Sequence, residues 1–223
     1  MASVSVERKF AGRAGDQLIS CVTEHGSTSH PYLRSDELLK GAFANRNLAD
    51  LVHFISSLHG RYPGVIDHAA TRTIEPLTRT WFTLTTEAFA FERGLLTRLA
   101  VAVGPLPSTP GAADSDTVVR SQHHAITTLA QSERNGCALG AALALVIEWH
   151  AIRTVLNASA TRFGVEAGEI GLSDIETIRS LADSLGDNDA LRRAMLFGAE
   201  QIALQHRGLC DLLEARQSAR GVY

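Results

Sequence analysis

The sequence predicts an all-α protein, a single-domain bundle of about six or seven helices around a central helix at 136–160. Three observations carry that reading. Apolar residues recur at steps of three and four along most of the chain. No alternating, β-rich run follows residue 10. The stretch GCALGAALALVIEWHAIR, Gly136 to Arg153, opens with a run that is apolar on every side up to Ile147, as a helix enclosed by other helices must be, and ends abruptly in Glu148, Trp149 and His150. Within it Gly136, Gly140 and Ala144 fall four apart, a smooth stripe along which a neighbouring backbone can approach closely, and Glu148 is next on that stripe. The apolar run from Gly136 to Ile147 is short of the roughly 18 to 20 residues that cross a bilayer, so no membrane is expected.

A chain of 223 residues can bury one sizeable core, and no shift of composition along it asks for two. Its formal charge of −3 is mild, and its arginines are scattered without a basic run, which argues against nucleic acid as a partner. Cys21, Cys137 and Cys210 lie far apart, odd in number and without a CxxC pair. That pattern, with no apolar leader in MASVSVERKFAGRAG, predicts a cytoplasmic protein.

Taken in order, residues 1–34 read as an N-terminal arm laid on the bundle domain of 35–223, with a turn or two of helix between Asp16 and Glu24. Ser35 with Asp36 and Glu37 starts a helix by capping and by charge at the positive end of the dipole. Asn47 with Asp50 suggests a second start, giving short helices at 36–45 and 48–59 that stop at Gly60 and Pro63-Gly64. From Val65 a stripe runs through Ile66, Ala70, Leu77, Trp81, Leu84, Ala88, Phe91, Leu95 and Leu99 to Gly104, with a fresh start at Pro76. The Pro- and Gly-rich GPLPSTPGAADSD connects to the next pattern, capped at Asp114, Ser115 or Asp116 and continuing to Phe163. One rod over 116–163 would run on the order of 70 Å, against a radius of gyration near ~17 Å, so a break belongs at Asn135-Gly136. Ser173 to Glu176 reads as a capping box for a helix at 174–185, and Asp187 to Asp189 start the last helix, with the stripe Leu191, Met195, Gly198, Ile202, Leu209 and Leu213.

Four polar residues stand at or beside apolar positions: Glu92, Glu133, Glu148 and His206. Buried carboxylates are costly unless paired or coordinated, and glutamates and histidines from several helices build metal sites in bundles. These four are therefore the candidate metal ligands. The opposing reading gives each glutamate an arginine: Glu92 or Glu87 with Arg98 or Arg79, Glu133 with Arg120 or Arg207, Glu148 with Arg153 or Arg192. Glu-x-x-His, GxSxG, P-loop, GxGxxG and HExxH motifs are all absent. Cys137 opens the central helix, where the dipole would favour a thiolate.

The order of elements, with FERGLLTRLAVAVGPLPSTPGAADSD followed by two further helices, resembles the haem-oxygenase-like bundles that include the thiaminase-type TenA proteins. The resemblance implies an interior pocket faced by a cysteine and a late glutamate, here Cys137 and Glu200, as ligand-binding residues. The aromatic residues that stack the substrate in that family have no counterpart, the tyrosines being only Tyr32, Tyr62 and Tyr223. In helix count the chain is equally similar to ferritin-like bundles. Two functions follow as expectations: an interior site for a small molecule or metal, or a non-catalytic structural or interaction protein acting as a homodimer.

Overall fold

The computed structural model describes residues 12–221, and its helices begin and end where local hydrogen-bonding chemistry sets them. Helix α1 (Ala14–His25) closes on Gly26, whose N–H donates to the Val22 carbonyl. Two 3-10 turns follow, Ser27–Ser29 and Pro31–Arg34. The four-residue α2 (Asp36–Leu39) is capped by Ser35, whose hydroxyl accepts from the Leu38 N–H at 3.2 Å. Helix α3 is Ala44–His59 and α4 is Val65–Arg72, where Asp67 accepts from the Gly64 N–H at 2.7 Å. Helix α5 (Pro76–Ala102) carries Pro76 in its first turn, with the Glu75 carboxylate accepting from the Leu77 and Thr78 N–H groups. Helix α6 is Ala112–Ala130 and α7 is Cys137–Phe163, closed by Gly164 in the left-handed conformation. Helix α8 (Ile175–Leu185) is capped by Asp174, and α9 is Asp189–Gly221.

Helix α7 is the axis of the molecule. It packs against α1, α3, α4, α5, α6, α8 and α9, and 18 of its 27 residues are buried. Its closest neighbour is α9. A side chain on Gly140 would fall on the Met195 backbone, and one on Gly198 would fall on the Cys137 carbonyl, so two glycines facing in opposite directions let the helix backbones touch. Unlike the run Gly136 to Ile147 taken alone, the whole of α7 is long and apolar enough to cross a membrane, but 78% of its most apolar window is covered by the bundle. It is a core helix.

Several expectations shift in detail. Residues 14–34 belong to the bundle rather than lying on it, since Leu18, Val22, Tyr32 and Leu33 are part of the main core; residues 1–11 lie outside the described residues. Nine helices form among the described residues, more than the six or seven expected: the turn or two at Asp16 to Glu24 is a full helix, α1, and the pattern from Val65 divides before Pro76 into α4 and α5. The second start is at Ala44, not Asn47, whose amide instead donates to the Glu37 carbonyl at 2.8 Å. The break expected at Asn135-Gly136 is present and wider than that pair, taking in residues 131–136. Ser173 accepts from the Trp81 indole at 3.0 Å and leaves capping of α8 to Asp174. The stripe drawn through α5 is too wide: Trp81, Ala88, Leu95 and Leu99 are buried, while Leu77, Leu84 and Phe91 face outward.

Candidate functional site

Where α1 ends, Gly26 lies against the Glu148 side chain so closely that a Cβ would collide with the carboxylate. The glycine thus lets the first 3-10 turn settle on a charge buried in α7. Glu148 accepts from the Ser27 N–H at 2.8 Å, from the Ser27 hydroxyl, and from the Thr28 N–H at 3.4 Å. Its fourth partner is His206 of α9, whose Nδ1 stands 3.2 Å from the same carboxylate oxygen that Ser27 contacts. The far nitrogen of His206, Nε2, is 2.8 Å from Nε2 of His59 at the end of α3. With the His206 Nδ1–H given to the carboxylate, one proton between the two Nε2 atoms completes the chain. The His59 ring then meets the edge of Trp149, centroid to centroid at 5.8 Å.

Trp149 continues the chain on the other side of α7. Its indole N–H donates to Glu92 of α5 at 2.9 Å, and the same oxygen accepts from Arg153 Nε at 2.9 Å. The remaining Arg153 nitrogens contact Asn157 and the carbonyls of Ala167 and Gly168. Ser27, His59, Glu92, Glu148, Trp149, Arg153 and His206 are all buried.

Electrostatics follow from this geometry. Burial pushes the Glu148 carboxyl up, but hydrogen bonds and charge from His206 and the bonds from Ser27 outweigh it and hold the group below the usual carboxylate range. His59 is held well below the ordinary imidazole value by burial and then by His206. Cys210, beside this charge, is pushed far up by burial and by Glu148, so it stays a thiol. Ser27 donates to the carboxylate and not to the imidazole, so the serine–histidine contact of a Ser-His-Asp triad is not made here.

A second polar knot ties the ends of α3 and α9. Arg216 grips Asp50 with Nε and Nη2 at 2.9 and 3.0 Å and stacks over Phe54. Arg220 contacts Asp50, Asn47 and, at 3.0 Å, Thr109.

A family model matches residues 22–221, which include every residue of both networks. The chain belongs to DUF6975, a family of unknown function. No curated protein and no solved structure matches it.

Of the candidate metal ligands of this DUF6975 chain, only Glu148 and His206 touch; Glu92 is reached from them through His59 and Trp149. Glu133 is elsewhere. Its side chain is 93% exposed in the turn after α6, where it pairs with Arg72 at 3.2 Å, because the helical register ends at Ala130. Among the described residues no three His, Cys, Asp or Glu side chains lie together as a metal site. The arginine partners also differ from expectation: Glu92 takes Arg153, Glu133 takes Arg72, and Glu148 takes a histidine. Cys137 and Glu200 have different surroundings. Cys137 is buried beside a groove between α6 and α9 lined by Phe197, Gln201 and Gln205, while Glu200 stands near Cys21, whose thiol is pushed up to about 11 by burial and then by Glu200 and Glu24.

From the sequence His59 stands only at the edge of an apolar stripe, a weak ligand, and Ser27 and the Asp50 knot have no role, although a signal existed for most of them. His59 continues the stripe Leu48, Val52, Ile55, and Arg216 and Arg220 continue Leu209 and Leu213. For Ser27 there was none, since a turn residue has no period.

Proposed function

We propose that this DUF6975 protein is a non-catalytic helical bundle of the cytoplasm that acts through its surface as a homodimer. One observation carries the reading: the two interior glutamates expected to hold a ligand, Glu92 and Glu148, each accept hydrogen bonds from donors of their own chain. A site built for a ligand keeps polar groups aimed into open space. Here the clefts lie at the surface, such as one of about 520 Å³ between Arg72, Glu75 and Leu191, and are lined by other residues. The different surroundings of Cys137 and Glu200 give no support to a thiaminase-type activity.

Elemental analysis and native mass spectrometry of the purified protein test this reading. The expected result is a dimer without stoichiometric metal or retained small molecule. One equivalent of metal or organic ligand, lost in Glu148→Gln, would overturn it in favour of an interior binding site.

A further inference from the structure

We infer that the homodimer is built by the outer face of α5 packing antiparallel against the same face of a second copy; this rests on the homodimeric reading and names its surface. The sequence places apolar residues on α5 that the bundle does not bury. Leu77 is 56% exposed, Leu84 64%, Phe91 72% and Val101 79%. They are not scattered. Leu77, Leu84, Phe91 and Arg98 are spaced by seven, and so are Thr80, Glu87, Gly94 and Val101, the two sets alternating by three and four as the a and d positions of a coiled-coil seam do. Helix α5 runs from Pro76 to Ala102, and in the register below residues 83–102, about three heptads, pair with the second copy while Leu77 and Thr80 lie beyond the paired stretch.

The seam is complementary to itself in one register. In an antiparallel pair each a position faces a d position of the other helix. A two-fold axis passing between Glu92 and Arg93 sets Leu84 against Val101 of the second copy, Phe91 against Gly94, and Arg98 against Glu87, with each layer repeated across the axis. Apolar meets apolar, the bulkiest ring meets the one position without a side chain, and the two charges of the seam meet with opposite sign. In the parallel pair, by contrast, Glu87 would face Glu87 and Arg98 would face Arg98, so charge alone selects the antiparallel form. Arg98 is already steadied by a bond to the Glu166 carbonyl at 3.3 Å, which leaves further N–H groups on the guanidinium for a carboxylate. Gly94 supplies the notch: a Cβ there would meet only the Arg98 guanidinium within its own chain.

Light scattering on the full-length protein tests the surface and the register together. The native chain is expected at twice its mass of 24.0 kDa. Phe91→Asp should weaken association by on the order of 100-fold and shift the protein to monomer with its helical circular dichroism intact, because the residue is exposed in the bundle. Glu87→Arg and Arg98→Glu should each do the same, and the double exchange Glu87→Arg with Arg98→Glu should restore the dimer. A dimer that survives Phe91→Asp and both single exchanges would overturn this interface while leaving the homodimeric reading intact. Failure of the double exchange to restore association would overturn the antiparallel register, and with it the inference. A native chain that is monomeric at every concentration would overturn both the interface and the reading beneath it.

Discussion

At Glu92 two donors converge on one oxygen, Trp149 Nε1 and Arg153 Nε, and all three side chains are buried. The worth of that carboxylate is therefore mostly the cost of its absence. Replacing Glu92 by Leu strands a guanidinium and an indole N–H, and should cost about 3 to 5 kcal/mol in the urea unfolding free energy. Glu92→Gln keeps an acceptor for the indole and loses only the charge, so roughly half that loss is expected. Equal losses for the two variants would mean that the acceptor for Trp149 contributes nothing. The sequence marked Glu92, Glu148 and His206 correctly as interior, since each interrupts an apolar stripe. It could not say which arginine or histidine would meet them, because a partner is chosen by how helices pack. Arg153 reaches Glu92 across the α5–α7 interface, and no spacing along the chain encodes that contact.

Among the elements, α7 and α9 owe their proximity to Gly140 and Gly198, each lying against the other helix's backbone. Gly140→Leu must force those backbones apart, and should destabilise by about 1 to 3 kcal/mol or more, read as a fall in melting temperature. An unchanged melting temperature would show that the helices separate without loss. This crossing was legible because a small residue repeated every four positions has one physical use in an apolar helix. Helix limits were legible for the same kind of reason: Gly60, Pro76, Gly164 and Gly186 each stop or start a helix close to where their chemistry requires. What was not legible lies where period fails. The turn at 131–136 moved Glu133 from an expected interior position to the surface, and the 3-10 turn at Ser27 placed donors on Glu148 from residues with no periodic neighbours. On α5 the period itself misled, since Leu77, Leu84 and Phe91 keep helical spacing yet lie outside the core.

For the whole molecule, the buried Glu148–His206–His59 chain makes stability a function of acidity. His59 in the folded state resists protonation because burial penalises the imidazolium, with His206, His123 and Arg93 adding like charge. The unfolded chain has no such penalty and takes a proton near pH 6.5. Above that pH both states are neutral at this site and stability is complete. As pH falls below it, the unfolded state binds a proton that the folded state refuses, and each pH unit removes about 1.4 kcal/mol. Glu148 acts in the same direction at lower pH. Its folded carboxyl is held below the usual range, so its contribution is present above about pH 4.5 and is lost as pH falls through the folded value. Acid should therefore destabilise the protein progressively from just below neutrality, through His59 first. Thermal melts across that range measure it. In His59→Gln the protein starts less stable, but its melting temperature should fall less steeply with acid, since the group that separates the two states in proton binding is gone. A native melting temperature that holds constant from pH 7 to pH 5 would mean that His59 takes its proton inside the fold, and that the chain of Glu148, His206 and His59 adjusts to carry a second charge.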